Sequence, residues 1–385
     1  MATNFTYHLP TRMKVGPKSL ATLESELKVL GRNLLIVTDP VVTRALQLPD
    51  RLIGPLQGSG LKFSVFDEIE PNPSIETVSH GADFARHHQM DCLIAVGGGS
   101  VLDCAKGIAI VSRYGGNIWD YIGDSKVPGP VPPIVAIPTT SGTGSEVTPF
   151  AVFTNKERAR KDGLFSPFVF PALSIIDPEI LTSMPPNLTA DTGLDALAHA
   201  VEAYTGRSAH PFVEASSEQA FALIARFLIR AVEYGHDLEA RRGMAMASAL
   251  AGISITHGGV GAAHGFGMSI GGLYGAPHGR TIGILLPAIM KYNLPAHPEK
   301  FSLIAELFRR NDADGLFASA QDAAEMVSRI LQKTGVPASL KSLGLTKADA
   351  LPITIDCIGR SDMRNNARGF NREEAVSFLE AVIGD

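Results

Sequence analysis

Apolar positions fall into two regimes along this chain. In the first half they gather in short runs, at residues 34–37, 63–66, 92–96, 134–137, 151–154 and 173–176, separated by stretches rich in Gly, Pro, Asn and Asp. Runs of that length bounded by turn residues read as strands buried on both faces of a mostly parallel sheet. A helix is expected to start near Pro17 and to end at Leu30, with Gly31 as its C-cap. From Thr189 onward the pattern changes to helical spacing, over 190–204, 212–234, 238–255, 299–310, 320–334 with Gly335 behind it, and 373–383. Asn371 and Glu374 have capping-box spacing at the start of the last of these. The pattern predicts an α/β domain with a Rossmann-like sheet over 1–186 and an all-helical domain over 187–385, with no tandem repeat in either.

One stretch fits neither regime. Residues 244–277 contain no Asp, Glu, Lys or Arg and include nine glycines, together with His257 and His264. The run is long enough to span a bilayer, but its glycines and imidazoles fit better in a buried helix lining a closed cleft. Glycine there allows close backbone approach, and the histidines would face a cavity.

Composition narrows the function classes. With 385 residues, 45% hydrophobic and 19% charged, the chain can bury a core large enough for two domains. A net charge of −5 without a basic cluster excludes a nucleic-acid or anionic-lipid footprint and leaves a small molecule as the expected partner, with no membrane. Cys92, Cys104 and Cys357 are odd in number and lack C-x-x-C spacing, so neither a disulfide framework nor a structural zinc site is encoded. The first ten residues lack a basic segment followed by an apolar run, so a cytoplasmic location is expected.

The chemistry begins with Asp195 and His199, which lie four apart and share one helix face. With His264 and His278 they offer one oxygen and three nitrogens, a donor set suited to Fe(II), Zn(II) or Mn(II) and poor for Ca(II) or Mg(II). In the first half, Gly97-Gly98-Gly99-Ser100 follows a strand and opens a helix, where backbone amides can bind phosphate. This is not the Rossmann fingerprint: Leu102 takes the third glycine position, and the acidic Asp39 precedes the turn instead of following it. Asp39 itself, at a strand end, is either a turn former or the acceptor for an adenine ribose.

The stretch Asp195-Ala-Leu-Ala-His199-Ala-Val-Glu202-Ala-Tyr204, with His264 and Tyr274-Gly-Ala-Pro277-His278-Gly279, closely resembles the iron-containing (group III) alcohol dehydrogenase family. The resemblance implies a dehydroquinate synthase-like architecture, a single divalent metal, Fe(II) ahead of Zn(II), on the four residues named, and NAD. It makes Gly97 to Ser100, with Asp103 and Lys106, a pyrophosphate element. It adds Asn72, the loop residues Thr139, Thr140, Ser141, Thr143 and Ser145, and Lys161 to the cofactor side. With Asp39 repelling a 2′-phosphate, NAD is expected over NADP.

The implied reaction interconverts an alcohol and an aldehyde or ketone by hydride transfer, in a cleft between the two domains, by a homo-oligomer. A dehydroquinate-synthase-like lyase would need a basic cluster for its phosphorylated substrate, which the uncharged run does not supply. A non-catalytic nucleotide- or metal-binding scaffold is the other alternative. The chain departs from the family at Met268, where a histidine is usual. His257 could replace that imidazole, because 257, 261, 264 and 268 share a face if the helix is continuous. Alternatively, Met268 enlarges an apolar substrate pocket and His257 is a buried hydrogen-bonding residue.

Overall fold

The structure, a computed structural model, describes residues 4–47, 52, 54–56, 58–313 and 315–384. The chain divides into two compact units: Leu9–Thr140 with Gly144–Met184, and Pro185–Asp385 with Ser141–Thr143 and the described residues before Leu9.

Among the described residues the first unit carries nine strands: β1 (Arg12–Val15), β2 (Asn33–Val37), β3 (Lys62–Phe66), β4 (Cys92–Gly97), β5 (Gly123–Asp124), β6 (Ile134–Pro138), β7 (Phe150–Asn155), β8 (Arg160–Phe165) and β9 (Leu173–Ile176). Six form one parallel sheet in the order β3-β2-β4-β6-β9-β1. Alternate residues of its central strands enter two separate cores. Leu35, Val37, Leu93, Ala95 and Ala136 face one layer, while Leu34, Ile36, Ile94, Val96, Val135 and Ile137 face the other. That double burial is why these strands are continuous apolar runs. The order reverses between β2 and β4, so the carboxyl ends of those two strands flank the switch point at which open α/β sheets bind ligands.

The run at 151–154 is a strand, but it lies outside this sheet. β7 pairs antiparallel with β8, and β5 completes a small second sheet. β8 (RKDGLF) is too polar to stand out by hydropathy. The first helix also differs from expectation: α1 spans only Leu23–Leu30, after a 3-10 turn at Ser19–Thr22. Gly31 is extended rather than left-handed. Its smallness serves close packing, since a Cβ there would lie 2.4 Å from Asp91 Oδ1 and 2.6 Å from Cys92 Cβ. Three further helices complete the unit: α2 (Pro40–Ala45), α3 (Ile75–His87) and α4 (Gly99–Tyr114).

The second unit is helical: α5 (Pro186–Thr205), α6 (Pro211–Glu233), α7 (Leu238–Gly258), α8 (Ala262–Tyr274), α9 (His278–Asn293), α10 (Pro298–Arg310), α11 (Ala323–Thr334), α12 (Ala350–Cys357), α13 (Ser361–Asn365) and α14 (Arg372–Ile383). The Asn371/Glu374 capping box is formed, and Gly335 takes the left-handed conformation behind α11. The uncharged run is buried as expected apart from its end, where Tyr274, Gly275 and Pro277 are exposed, and it is not one helix. It breaks between α7 and α8, where Gly259 has φ 67° and Gly261 caps α8. No helix among the described residues is long and apolar enough to cross a membrane.

Glycine sets the close helix contacts of this unit. A Cβ on Gly279 of α9 would sit 2.5 Å from Asp191 O of α5, and one on Gly283 would sit 2.8 Å from Leu194 Cδ1. α9 therefore lies nearly backbone to backbone on α5, and α9 begins with His278.

Candidate metal and nucleotide sites

α5 presents Asp195 and His199 one turn apart, both buried. α8 adds His264, also buried, and one ligand atom from each of these three residues lies within 4.8 Å of the others. Asp195 Oδ1 is the common point, 3.5 Å from His264 Nε2 and 3.6 Å from His278 Nε2. The His199 and His264 rings stack with centroids 4.5 Å apart, and His278 meets His264 edge-on at 5.4 Å. All four residues named from the sequence are thus brought together by three helices, with His278, half-buried, at the rim.

Charge pairing competes with burial throughout the cluster. Burial alone would raise the Asp195 carboxyl, but the surrounding His199, His278 and His264 hold it well below the usual carboxylate range. Burial pushes His199 down to about 4 against the pull of Asp195. Burial acts the same way on His264, yet the flanking carboxylates of Glu202 and Asp195 outweigh it and raise the imidazole to about 10. Asp195 Oδ1 and His264 Nε2 are buried and make no hydrogen bond. Buried polar atoms without partners are rare in proteins and costly. Two such atoms facing one point, one an anion and one able to exchange its proton for a metal, fit a divalent cation. The donors are the oxygen and nitrogen atoms that Fe(II) and Zn(II) accept.

Glu202 took no role in the sequence reading, though it stands seven residues after Asp195 and so two turns along the same helix face. It is buried, with Oε2 2.5 Å from His264 Nδ1 and Oε1 accepting from the Ala263 amide at 2.6 Å. His199 Nδ1 lies 3.3 Å from the Gly142 carbonyl.

His257 lies elsewhere. The break at Gly259 removes the shared face on which its link to His264 rested. Its Nδ1 meets the Ile253 carbonyl at 3.0 Å, its Nε2 meets the backbone of His8, and its ring stacks on Tyr7 at 4.2 Å. These contacts make it the anchor of the N-terminal segment. Met268 is buried on α8, one turn beyond His264.

In the α/β unit, α4 starts at the carboxyl end of β4, beside the switch point. Gly98 is its N-cap and supplies no side-chain acceptor, so the first amides of this sixteen-residue helix point outward. A Cβ on Gly98 would press to 3.2 Å from Thr140, the loop residue after β6. Asp39, at the end of β2, caps α2: its Oδ1 accepts from Val41 and Val42 at 2.8 and 2.9 Å, and neither bond uses Oδ2. The turn-former role is therefore real, and one oxygen stays outside it.

Asn72 has φ 56°, unusual before a proline. It is held there by its amide on Ser100 Oγ at 3.2 Å and by Lys161 Nζ on its Oδ1 at 2.7 Å. Asp103 and Lys106, the expected phosphate-side pair, are turned inward. Asp103 accepts from Ser145 Oγ at 2.6 Å and Val152 N at 3.0 Å. Lys106 is fully buried and donates to Ser145 O, Ser145 Oγ, Thr148 O and Phe150 O at 2.7–3.0 Å. Burial lowers this ammonium to about 8, opposed by Asp103 and Glu146. The pair fixes the segment from Ser145 to Val152, and of the loop residues expected on the cofactor side Thr139, Ser141 and Ser145 are buried.

Both halves of the chain match family models of known proteins. Residues 10–178 match the iron-containing alcohol dehydrogenase model, and 189–383 match the C-terminal model of the Fe-containing alcohol dehydrogenase family. The chain is 39% identical to the 1,3-propanediol dehydrogenase of Klebsiella pneumoniae over 386 residues, covering 98% of this chain and 99% of that one. It is 36% identical to the NAD-dependent methanol dehydrogenase of Bacillus methanolicus, over 90% and 91% of the two chains. A solved 1,3-propanediol oxidoreductase superposes with a TM-score of 0.92 at 37% identity, covering 98% of this chain and 100% of that one. The matches of both halves to the family models, with these full-length relatives, place the chain in the iron-containing alcohol dehydrogenase family.

Proposed function

We propose that this chain binds one divalent metal, Fe(II) or Zn(II), through Asp195, His199, His264 and His278, and oxidises a small alcohol or reduces the matching aldehyde with NAD(H). The observation that carries the reading is the buried meeting of Asp195 Oδ1 and His264 Nε2, 3.5 Å apart without a hydrogen bond, beside the imidazoles of His199 and His278. A metal supplies Lewis acidity that favours alkoxide over alcohol and polarises a carbonyl, and the nicotinamide accepts or delivers the hydride. The protein's own part is positional. α5 fixes Asp195 and His199 by helix geometry, the glycine contact of α9 brings up His278, and Glu202 holds His264.

On the nucleotide side the open amides of α4 suit a pyrophosphate. Lys161 bonds Asn72, and Asn72 bonds Ser100 at the start of α4, which suits a cofactor role for all three, and the hydroxyls of Thr139, Thr140, Ser141, Thr143 and Ser145 offer further hydrogen-bonding groups for a nucleotide. The unused oxygen of Asp39 suits a ribose hydroxyl and disfavours a 2′-phosphate, which supports NAD over NADP. Met268 in place of an imidazole leaves an apolar thioether one turn from His264, so proton movement at that position belongs to water or to another group. Relatives named for propanediol and methanol support a short alcohol as substrate. Assembly of two or more copies in a reducing cytoplasm suits three buried free thiols and the habit of the family.

The test strips the protein with a chelator and follows NAD reduction with a panel of short alcohols, before and after anaerobic return of Fe(II) or Zn(II), with NADP in parallel. Activity that depends on the returned metal and prefers NAD is the expected result. Activity undiminished by the stripped state, or silence across the panel in the reloaded state, overturns the reading.

A further inference from the structure

We infer that Glu202 is the positioning residue of the metal centre: it fixes which nitrogen of His264 faces the ion and, through the same carboxylate, fixes the start of the helix that carries this ligand. The inference rests on the proposed metal reading.

His264 stands third in α8, whose first amides have no partner within the helix. The cap position is Gly261, which has no side chain to offer them. Acceptors arrive from elsewhere in the unit. Asn366 Oδ1 takes the Ala262 amide at 3.2 Å, and Glu202 Oε1 takes the Ala263 amide at 2.6 Å. Gly261 is what lets them approach, because a Cβ there would stand 2.9 Å from Asn366 Oδ1 and 3.0 Å from Glu202 Oε1.

The second oxygen of Glu202 meets His264 Nδ1 at 2.5 Å. An ionised carboxylate only accepts, so Nδ1 must carry the proton. Nε2 is then the nitrogen left for the ion, and it is the one facing Asp195 Oδ1. Carboxylates that hold metal-binding imidazoles in this way raise ligand basicity and orient the ring. Here α5 supplies two expected ligands, Asp195 and His199, and the orienting group for a third on another helix, so one rigid element governs most of the centre.

Glu202→Gln discriminates a positioning role from general packing. The amide has nearly the same shape, but it has one acceptor and one donor where two acceptors are required. If its oxygen keeps the Ala263 amide, its NH2 faces Nδ1 and forces the proton onto Nε2. If it turns over, two N–H groups oppose each other at Ala263. In either case the ring is no longer held with Nε2 open.

The measurement is Zn(II) affinity of the chelator-stripped full chain, by competition with a chromophoric chelator, together with thermal unfolding of the metal-free form. It also includes the downfield Nδ1 proton signal of His264 in zinc-loaded protein labelled with 15N-histidine. The expected result is an affinity weaker by about 10–100-fold, loss of the Nδ1 proton signal, and unfolding of the metal-free form close to the parent. Parent-like affinity with that signal retained overturns the inference. Should Glu202→Gln fail to fold, Gly261→Ala displaces the carboxylate without changing its chemistry; weaker zinc binding supports the inference and unchanged binding overturns it. His199→Ala, run beside them, separates the two levels. If it keeps a tightly bound ion in the same site, the metal reading itself fails; if it loses the ion while Glu202→Gln keeps it, only the role of Glu202 fails.

Discussion

Two buried charge clusters, one in each unit, differ in a way that separates structure from chemistry. Around Lys106 every proton of the ammonium is taken by the protein: four acceptors from the segment 145–150 surround it, and Asp103 is occupied by Ser145 and Val152. Around Asp195 the cluster is less closed: His199 Nδ1 meets the Gly142 carbonyl and His264 Nδ1 meets Glu202, but Asp195 Oδ1 and the Nε2 of His264 lie 3.5 Å apart without a hydrogen bond. A buried charge closed by its own protein is a fastener. One left open at its centre costs folding energy that a ligand can offset.

The largest expected effect tests the closed cluster. Lys106→Met removes the shared donor and strands four acceptors, so the denaturant midpoint should fall by the equivalent of about 3–5 kcal/mol, while zinc still binds. A loss under about 1 kcal/mol would mean that the loop is held by other contacts. Next comes the open cluster. Zn(II) at a hundred times its dissociation constant should stabilise the parent protein by about 2.7 kcal/mol and leave Asp195→Asn unmoved. The metal-free variant should be less stable than the parent at neutral pH, because it loses a carboxylate that the surrounding imidazoles favour in its ionised form. Zinc stabilisation retained by Asp195→Asn would erase the contrast.

A third test sharpens the closed cluster by pH. Glu146 is buried, and burial raises its carboxyl to about 7, against the pull of its own backbone amide and of Lys106. A raised carboxyl binds its proton more tightly folded than unfolded, so folding stability from this group falls as pH rises from about 4.5 to 7 and then levels. Glu146→Gln should match the parent near pH 4 and exceed it at pH 8, by on the order of 2 kcal/mol. An offset that does not change with pH would show that Glu146 is not ionising in this range.

The smallest effect concerns His257. With its nitrogens on Ile253 and His8 and its ring on Tyr7, His257→Asn should lower stability by about 1 kcal/mol or less and leave the pH profile of turnover in place. A shifted profile would restore the catalytic role considered from the sequence.

Much of this is legible in the sequence. Apolar runs buried on both faces mark the parallel sheet, and the Asp195–His199 spacing marks two neighbours of the buried cluster, because strand alternation and helix pitch are local rules. What escaped depended on distant partners. β8 owes its place to pairing with β7 rather than to its own hydropathy. Lys106 looks like a phosphate ligand in sequence and is a buried fastener in space. The helix break hid because glycine is equally at home in a tightly packed helix and in a turn, and only the φ of Gly259 decides between them. Glu202 was visible as the next acidic residue on the α5 face, but its target on α8 was not.

The contact of α9 with α5 carries a consequence for anyone altering this enzyme. His278 is the first residue of α9, and the methyl group that Gly279→Ala would add has no room against the Asp191 carbonyl. A substitution bearing no donor atom would therefore lever His278 away from Asp195 and His264. A random-mutagenesis screen scored on metal retention should return Gly279 among its hits beside Asp195, His199, His264 and His278 if these hold the ion as proposed, and a programme to retune the site could work by shifting that hinge of helix against helix while leaving all four side chains in place.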